Sequence, residues 1–216
     1  MRNQTRIRLV AFDMEGCLTD DPTVWEVMHR KLGTWESHGQ PYWERYRAGE
    51  FGYDEFARMD VAVWKGAPAR LLDGAAEEVS FMPGCRELLA ALHSAGVTTA
   101  IITNGLMCVA RRFRDGLDVR HIYANRLGED GGALTGQISI DVPYDAKGDV
   151  LRDLAGRLGV SAAEIASVGD SPSDIAMFRA SRIGIAFRPT KQAVAEAATC
   201  VVREKDLRRL LDVLLP

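Results

Sequence analysis

Five short apolar runs punctuate the chain: Ile7 to Phe12, Val97 to Ile102, Ile165 to Val168, Ile183 to Ala186 and Thr199 to Val202. Each is too short for a helix and is unbroken rather than alternating, the pattern of a strand covered on both faces. Between them apolar residues recur at helical spacing. Cys85 to Ala95 stops at Gly96, a residue suited to end a helix, and Ala146 to Leu158, Asp174 to Ala180 and Glu204 to Leu215 follow the same period. Strand and helix in alternation predict an α/β fold built on a doubly wound, mostly parallel sheet.

Two regions break the alternation. From about Thr23 to Val79 there is no strand pattern, only amphipathic pieces (Val24 to Leu32, Pro41 to Ala48, Tyr53 to Trp64, Pro68 to Val79) separated by Gly33, Gly39, Gly52 and Gly66. This predicts a small α-helical subdomain, residues 21–79, inserted after the first strand into a core made of 1–20 and 80–216. From Asn125 to Asp141, the acidic, glycine-rich Glu129-Asp130-Gly131-Gly132 separates Arg126-Leu127 from Leu134 to Ile140, a β-hairpin signal.

Composition narrows the function classes. The 27 Lys+Arg against 30 Asp+Glu give a net charge of −3 with no basic block, so neither nucleic acid nor an anionic membrane is an expected partner. No apolar run approaches the length of a membrane helix, and Met1 to Arg6 leads directly into a strand-like segment, which points to a cytoplasmic protein. The four cysteines (Cys17, Cys85, Cys108, Cys200) are far apart, which disfavours a disulfide framework or a zinc site.

In an open parallel sheet, ligands bind at the carboxyl ends of the strands. After the first apolar run comes Asp13-Met14-Glu15-Gly16, and after the second Thr103-Asn104-Gly105. Lys147 opens the helix past the hairpin, and Gly169-Asp170-Ser171-Pro172-Ser173-Asp174 follows the third run. Singly, each is ordinary turn, cap or surface chemistry. Together, four segments deliver carboxylates, a hydroxyl and an ammonium to one edge.

These stretches resemble the signatures of the haloacid dehalogenase (HAD) superfamily phosphatases, in their phosphoserine-phosphatase-like branch. The first signature appears as Leu9-Val10-Ala11-Phe12-Asp13-Met14-Glu15-Gly16-Cys17-Leu18, the second as Ile101-Ile102-Thr103, the third as Ala146-Lys147-Gly148-Asp149, and the fourth as Gly169-Asp170 through Asp174. Met82-Pro83-Gly84-Cys85, Ala124-Asn125-Arg126-Leu127 and Leu134-Thr135-Gly136 are similar too. The resemblance implies a HAD-like core with a helical cap, and a Mg2+-dependent phosphomonoesterase acting on a small phosphorylated metabolite. Asp13 would be the nucleophile that becomes an aspartyl-phosphate, and Glu15 the acid and base. Thr103, Asn104 and Lys147 would bind the transferring group. Asp13, Asp170 and the Glu15 backbone carbonyl would hold the metal, with Gly169 and Asp174 in support. A hard dication suits such oxygen ligands, and positive charge must be in place before a carboxylate meets a phosphate dianion.

The chain departs from that branch in three places. Glu15 stands where Asp is usual, as in members that pass the phosphoryl group to an acceptor alcohol such as homoserine, which is the alternative activity. Cys17 replaces Thr. Where phosphoserine phosphatases carry a Glu for the substrate's ammonium and an Arg for its carboxylate, ungapped reading finds Pro22 and Asp60. The insert's aromatics (Trp25, Trp35, Tyr42, Trp43, Tyr46, Trp64) are either its core or the lining of a pocket.

Overall fold

The computed structural model describes residues 6–215; residues 1–5, read above as leading into the first strand, lie outside them. Among the described residues, seven strands form one sheet: β1 (Leu9–Phe12), β2 (Thr98–Leu106), β3 (His121–Asp130), β4 (Ala133–Ser139), β5 (Ile165–Gly169), β6 (Ile183–Phe187) and β7 (Cys200–Val202), in spatial order β4-β3-β2-β1-β5-β6-β7. Every neighbouring pair is parallel except β3 and β4. The unbroken apolar runs follow from helices on both faces. Val10 and Phe12 enter one apolar cluster and Leu9 and Ala11 the other, all four fully buried.

Helices α1 (Val24–Lys31), α2 (Gln40–Arg47), α3 (Tyr53–Val63) and α4 (Arg70–Glu78) lie between β1 and α5 (Cys85–Ser94). Thr23 caps α1 by accepting from the Glu26 N–H at 3.4 Å. A π-helical turn, Trp35–Gly39, joins α1 to α2 where the spacing predicted only a break. The β3–β4 hairpin ties down this helical segment: Gly66 N–H donates to Leu134 O at 2.8 Å, Leu134 N–H to Ala67 O at 2.8 Å, and Ala69 N–H to Gly132 O at 2.9 Å. The helices are thus anchored at their far end as well as at their two chain connections.

The remaining helices are α6 (Met107–Leu117), α7 (Lys147–Leu158), α8 (Ile175–Arg179), α9 (Gln192–Ala197) and α10 (Leu211–Leu214). Two differences from the sequence pattern have local causes. Helix α6 starts without a break from β2, so no turn residue announces it, although Val109, Ala110 and Phe113 form its buried stripe. The C-terminal helix expected over Glu204 to Leu215 shrinks to a 3-10 turn, Leu207–Leu210, followed by α10. Leu207 N–H is held by Pro83 O at 2.8 Å and Asp206 accepts from Arg208 N–H at 3.0 Å, so helix cannot extend back to Glu204. Among the described residues no helix is long and apolar enough to cross a membrane.

Candidate active site

The register of the central strands assembles the site. Phe12 pairs with Ile101 on one side and with Val168 on the other. One step on, Asp13 leaves β1 between the ends of β2 and β5, so Thr103 and Asp170 follow on its flanks. Lys147, the first residue of α7, enters from the same edge and is 1 % exposed. Its Nζ donates to Asp13 Oδ1 at 2.8 Å and to Asp174 Oδ1 at 2.7 Å. The other oxygen of Asp174 accepts from the Asp170 N–H at 3.0 Å, the Ser171 N–H at 2.9 Å and Ser171 Oγ at 3.1 Å. Asp174 therefore locks the loop after β5 and holds the lysine; the structure sets it against Lys147.

Two glycines let these segments approach. Gly16, at φ +79°, lies so close that a Cβ there would sit 2.8 Å from Asp170 Oδ2. A Cβ on Gly105 would fall 2.9 Å from Met14 Cε and 3.1 Å from Glu15 Cδ, so a larger residue would displace those side chains, that of Glu15 included. Thr103 is buried with its Oγ1 accepting from the Gly105 N–H at 3.0 Å. Asn104 spends its amide on Val142 O, 2.8 Å away.

Burial dominates the electrostatics. Desolvation raises the Asp13 carboxyl to about 6 against the attraction of Lys147. It raises Glu15 to about 7, helped by the charge of Asp13 and opposed by a hydrogen bond from Trp25. Asp170 is pushed well up by burial and then by Asp13 and Asp174. Burial acts to discharge Lys147, but Asp13 and Asp174 more than offset it and keep the ammonium charged. Three carboxylates around one lysine leave a deficit of positive charge.

That deficit bears on the metal. Ligand atoms of Asp13, Asp170 and Cys17 lie within 4.8 Å of one another. Among the described residues the buried Asp170 Oδ1 has no hydrogen-bond partner, which leaves its lone pairs free to coordinate a cation. Burial and the neighbouring carboxylates push the Cys17 thiol well up, so it stays protonated and the donors are hard oxygens. The residues fit a divalent cation of the Mg2+ kind. The side chain of Glu15 is outside that group.

Sequence reasoning passed over the layer above the carboxylates. The Tyr53 hydroxyl of α3 donates to Asn104 O, which also accepts from Asn125 Nδ2 at 2.7 Å. Asn125 Oδ1 in turn accepts from the Val142 N–H at 3.0 Å, so one fully buried asparagine joins the helical insert to both sides of the site. Its place in a stretch similar to the phosphatase branch was the available signal. Trp25, Tyr46 and Tyr53 from three helices and Tyr144 from the loop before Lys147 gather around Glu15 and the lysine. Tyr144 carried no periodic signal. Asp60, in the place of the substrate-binding Arg, is buried with its Oδ1 3.2 Å from His29 Nε2, at ion-pair distance but off the hydrogen-bond direction.

A doubly wound sheet with an aspartate, a lysine and a second acidic loop at its carboxyl edge defines an enzyme of the phosphate-handling α/β class. Residues 10–179 match the haloacid dehalogenase-like hydrolase family, and the chain belongs to it. It is 26 % identical over 205 residues to the phosphoserine phosphatase of Methanocaldococcus jannaschii, covering 94 % of this chain and 96 % of that protein. It is 30 % identical over 191 residues to that of Idiomarina loihiensis, covering 87 % and 86 %. A solved structure described as a phospho-aspartyl intermediate analogue of phosphoserine phosphatase superposes with a TM-score of 0.86 at 25 % identity, covering 97 % of this chain and 99 % of that one.

Proposed function

We propose that the chain is a Mg2+-dependent phosphomonoesterase of a small metabolite, working through a phosphorylated Asp13. The observation that carries this is the buried contact of 2.8 Å between Lys147 Nζ and Asp13 Oδ1 beside the partnerless oxygen of Asp170. An aspartate in that setting is ionised, fixed in direction and screened from water, as a nucleophile toward phosphorus must be. The relatives named above support the same chemistry, all being phosphatases. None of them is a phosphotransferase, so the alcohol-acceptor alternative is not carried further.

Asp13, Asp170 and the Glu15 carbonyl would hold the cation, which when bound supplies positive charge to offset the meeting of two anions. Asp13 attacks phosphorus; the new P–O bond forms as the bond to the leaving alcohol breaks, and Glu15 gives that alcohol its proton. A carboxyl raised to about 7 by burial carries a proton near neutrality, which suits it to this task. Glu15, now ionised, takes a proton from water. The water oxygen attacks phosphorus, the bond to Asp13 breaks, and inorganic phosphate leaves. Lys147 and Thr103 steady the transferring group, Asn104 ties the segment after Thr103 to Val142 O through its amide, and Asp174 with Gly169 sets Lys147 and Asp170. Residues 21–79 act as a lid over the core formed by 1–20 and 80–216, keeping water out of the first step.

The test is release of phosphate from a generic aryl phosphate. Activity should require added Mg2+, vanish with a chelator, and fall at least about a thousandfold in Asp13→Asn. Full activity in that variant would refute the mechanism.

A further inference from the structure

The lid presents aromatic faces, not ion-pair partners, to the side of the site from which the alcohol departs. Tyr53 donates its hydroxyl to Asn104 O, next to Gly105, where a Cβ would meet Glu15 Cδ at 3.1 Å. Trp25 and Tyr53 lie within the field of the Glu15 carboxyl, and Lys147 and Tyr144 act on Tyr46. The rings form a continuous wall. Tyr53 stacks on Tyr144 at 5.9 Å between centroids, meets Tyr46 edge-on at 6.4 Å, and Tyr46 stacks on Phe56 at 5.0 Å. Phe56 leads to Trp25 at 5.9 Å. Glu15, as proton donor to the leaving oxygen, lies at the foot of this wall.

We propose that the substrate is the phosphate monoester of an uncharged, ring-bearing alcohol, held on this wall, and not of an amino acid; this rests on the phosphatase activity proposed above. The charged groups near the wall decide against a carboxylate. The charged groups acting on Glu15 and Tyr53 are, besides Lys147, the acids Asp13, Asp21 and Asp54, with Glu15 itself acting on Tyr53; the Arg47 guanidinium lies one ring further out, over the exposed Trp43. Asp60, which the resemblance sets where an Arg is expected, is buried against His29 and offers no cation to the site. A carboxylate set against carboxyl groups and the negative faces of aromatic rings would lose its water without gaining a partner. An ammonium fares little better. Pro22 stands in place of an acid, and the charged Lys147 already lies within range of Tyr46. A flat, uncharged ring satisfies the wall by offset or edge-on packing and leaves no buried charge unpaired.

The experiment compares four esters of similar intrinsic reactivity at one pH with Mg2+: 2-phenylethyl phosphate, ethyl phosphate, O-phosphoethanolamine and O-phosphoserine. Acetyl phosphate serves as a control for the reaction itself. The expected kcat/KM for 2-phenylethyl phosphate exceeds that for phosphoserine and for phosphoethanolamine by at least about tenfold. In Tyr46→Ala the preference for phenylethyl over ethyl phosphate should shrink about fivefold or more, a change in selectivity that a purely structural residue would not cause. Turnover of acetyl phosphate with phosphoserine or phosphoethanolamine equal to or better than the ring ester overturns the substrate class and leaves the phosphatase standing. A preference unmoved in Tyr46→Ala removes the wall as its source. No turnover of any compound, acetyl phosphate included, overturns both.

Discussion

Lys147 Nζ stands 2.8 Å from Asp13 Oδ1, although 134 residues of chain separate them, and both side chains are sealed from solvent. The contact joins the end of the first strand to the start of a helix in the second half of the chain. Fold stability and nucleophile geometry therefore share one ion cluster. Removing the cation leaves the carboxylates of Asp13 and Asp174 buried and unpaired, which costs about 3–5 kcal/mol. Lys147→Ala should lower the urea midpoint accordingly and abolish turnover; parental stability would show that the cluster is dispensable to the fold.

The acids of the site oppose folding when ionised. Asp13 is raised to about 6 and Glu15 to about 7, above their ordinary 3.8 and 4.5, so each contributes stability fully present below its unfolded value and lost as pH rises through its folded value. The melting temperature of the metal-free protein should thus fall between about pH 4 and pH 7, a loss on the order of 3 kcal/mol from each group. Mg2+ at a hundred times its dissociation constant would return about 2.7 kcal/mol, more fully at pH 8 than at pH 5 where protons compete. Calorimetry at both pH values, with and without Mg2+, checks this; a metal-free melting temperature that rises with pH contradicts it.

Asp170→Asn should separate stability from activity. Its Oδ1 is buried without a partner, and its carboxyl is held well above the usual range by burial and by Asp13 and Asp174. Replacing it with a neutral amide removes a buried charge that no side chain of the site compensates in the metal-free protein, among the described residues. The expected outcome is a metal-free protein at least as stable as the parent, whose melting temperature no longer responds to Mg2+ and whose turnover is lost.

Much of this was legible in the chain because the chemistry is local. Asp13 and Asp170 follow the ends of their strands and Thr103 follows the apolar part of β2, which the structure carries on to Leu106; the unbroken apolar runs that place them are short-range signals. The sheet edge follows from them, as do Lys147 at a helix start and the hairpin around Gly131-Gly132. What the pattern withheld depends on tertiary contact. Helix α6 grows out of β2 without a boundary residue, and the C-terminal helix is cut short by Pro83 O holding Leu207. The Tyr53–Asn104–Asn125 link joins residues 51 and 72 positions apart, beyond any periodicity. The aromatics of the insert divide unevenly: Trp64 and Trp25 are both core, packed 5.5 Å apart, with Trp25 also within the field of Glu15, whereas the half-buried Tyr46 lies beside Tyr53 within range of Lys147.

Gly16→Ala tests the close approach of the first loop to Asp170. The substitution forces a side chain into a left-handed backbone, about 1–2 kcal/mol, and sets its Cβ against Asp170 Oδ2. Reduced thermal stability together with a weakened Mg2+ response is expected. An unchanged Mg2+ response would place the cation elsewhere.

The central claim is that Asp13 takes the phosphoryl group, and acid-quenching the enzyme during turnover of a 32P-labelled ester with Mg2+ tests it most directly. A label stable in acid, released by mild base or hydroxylamine, confined to the peptide containing Asp13 and absent from Asp13→Asn is the predicted result. Turnover at full rate with no label on the protein, or with the label on another residue, would contradict it.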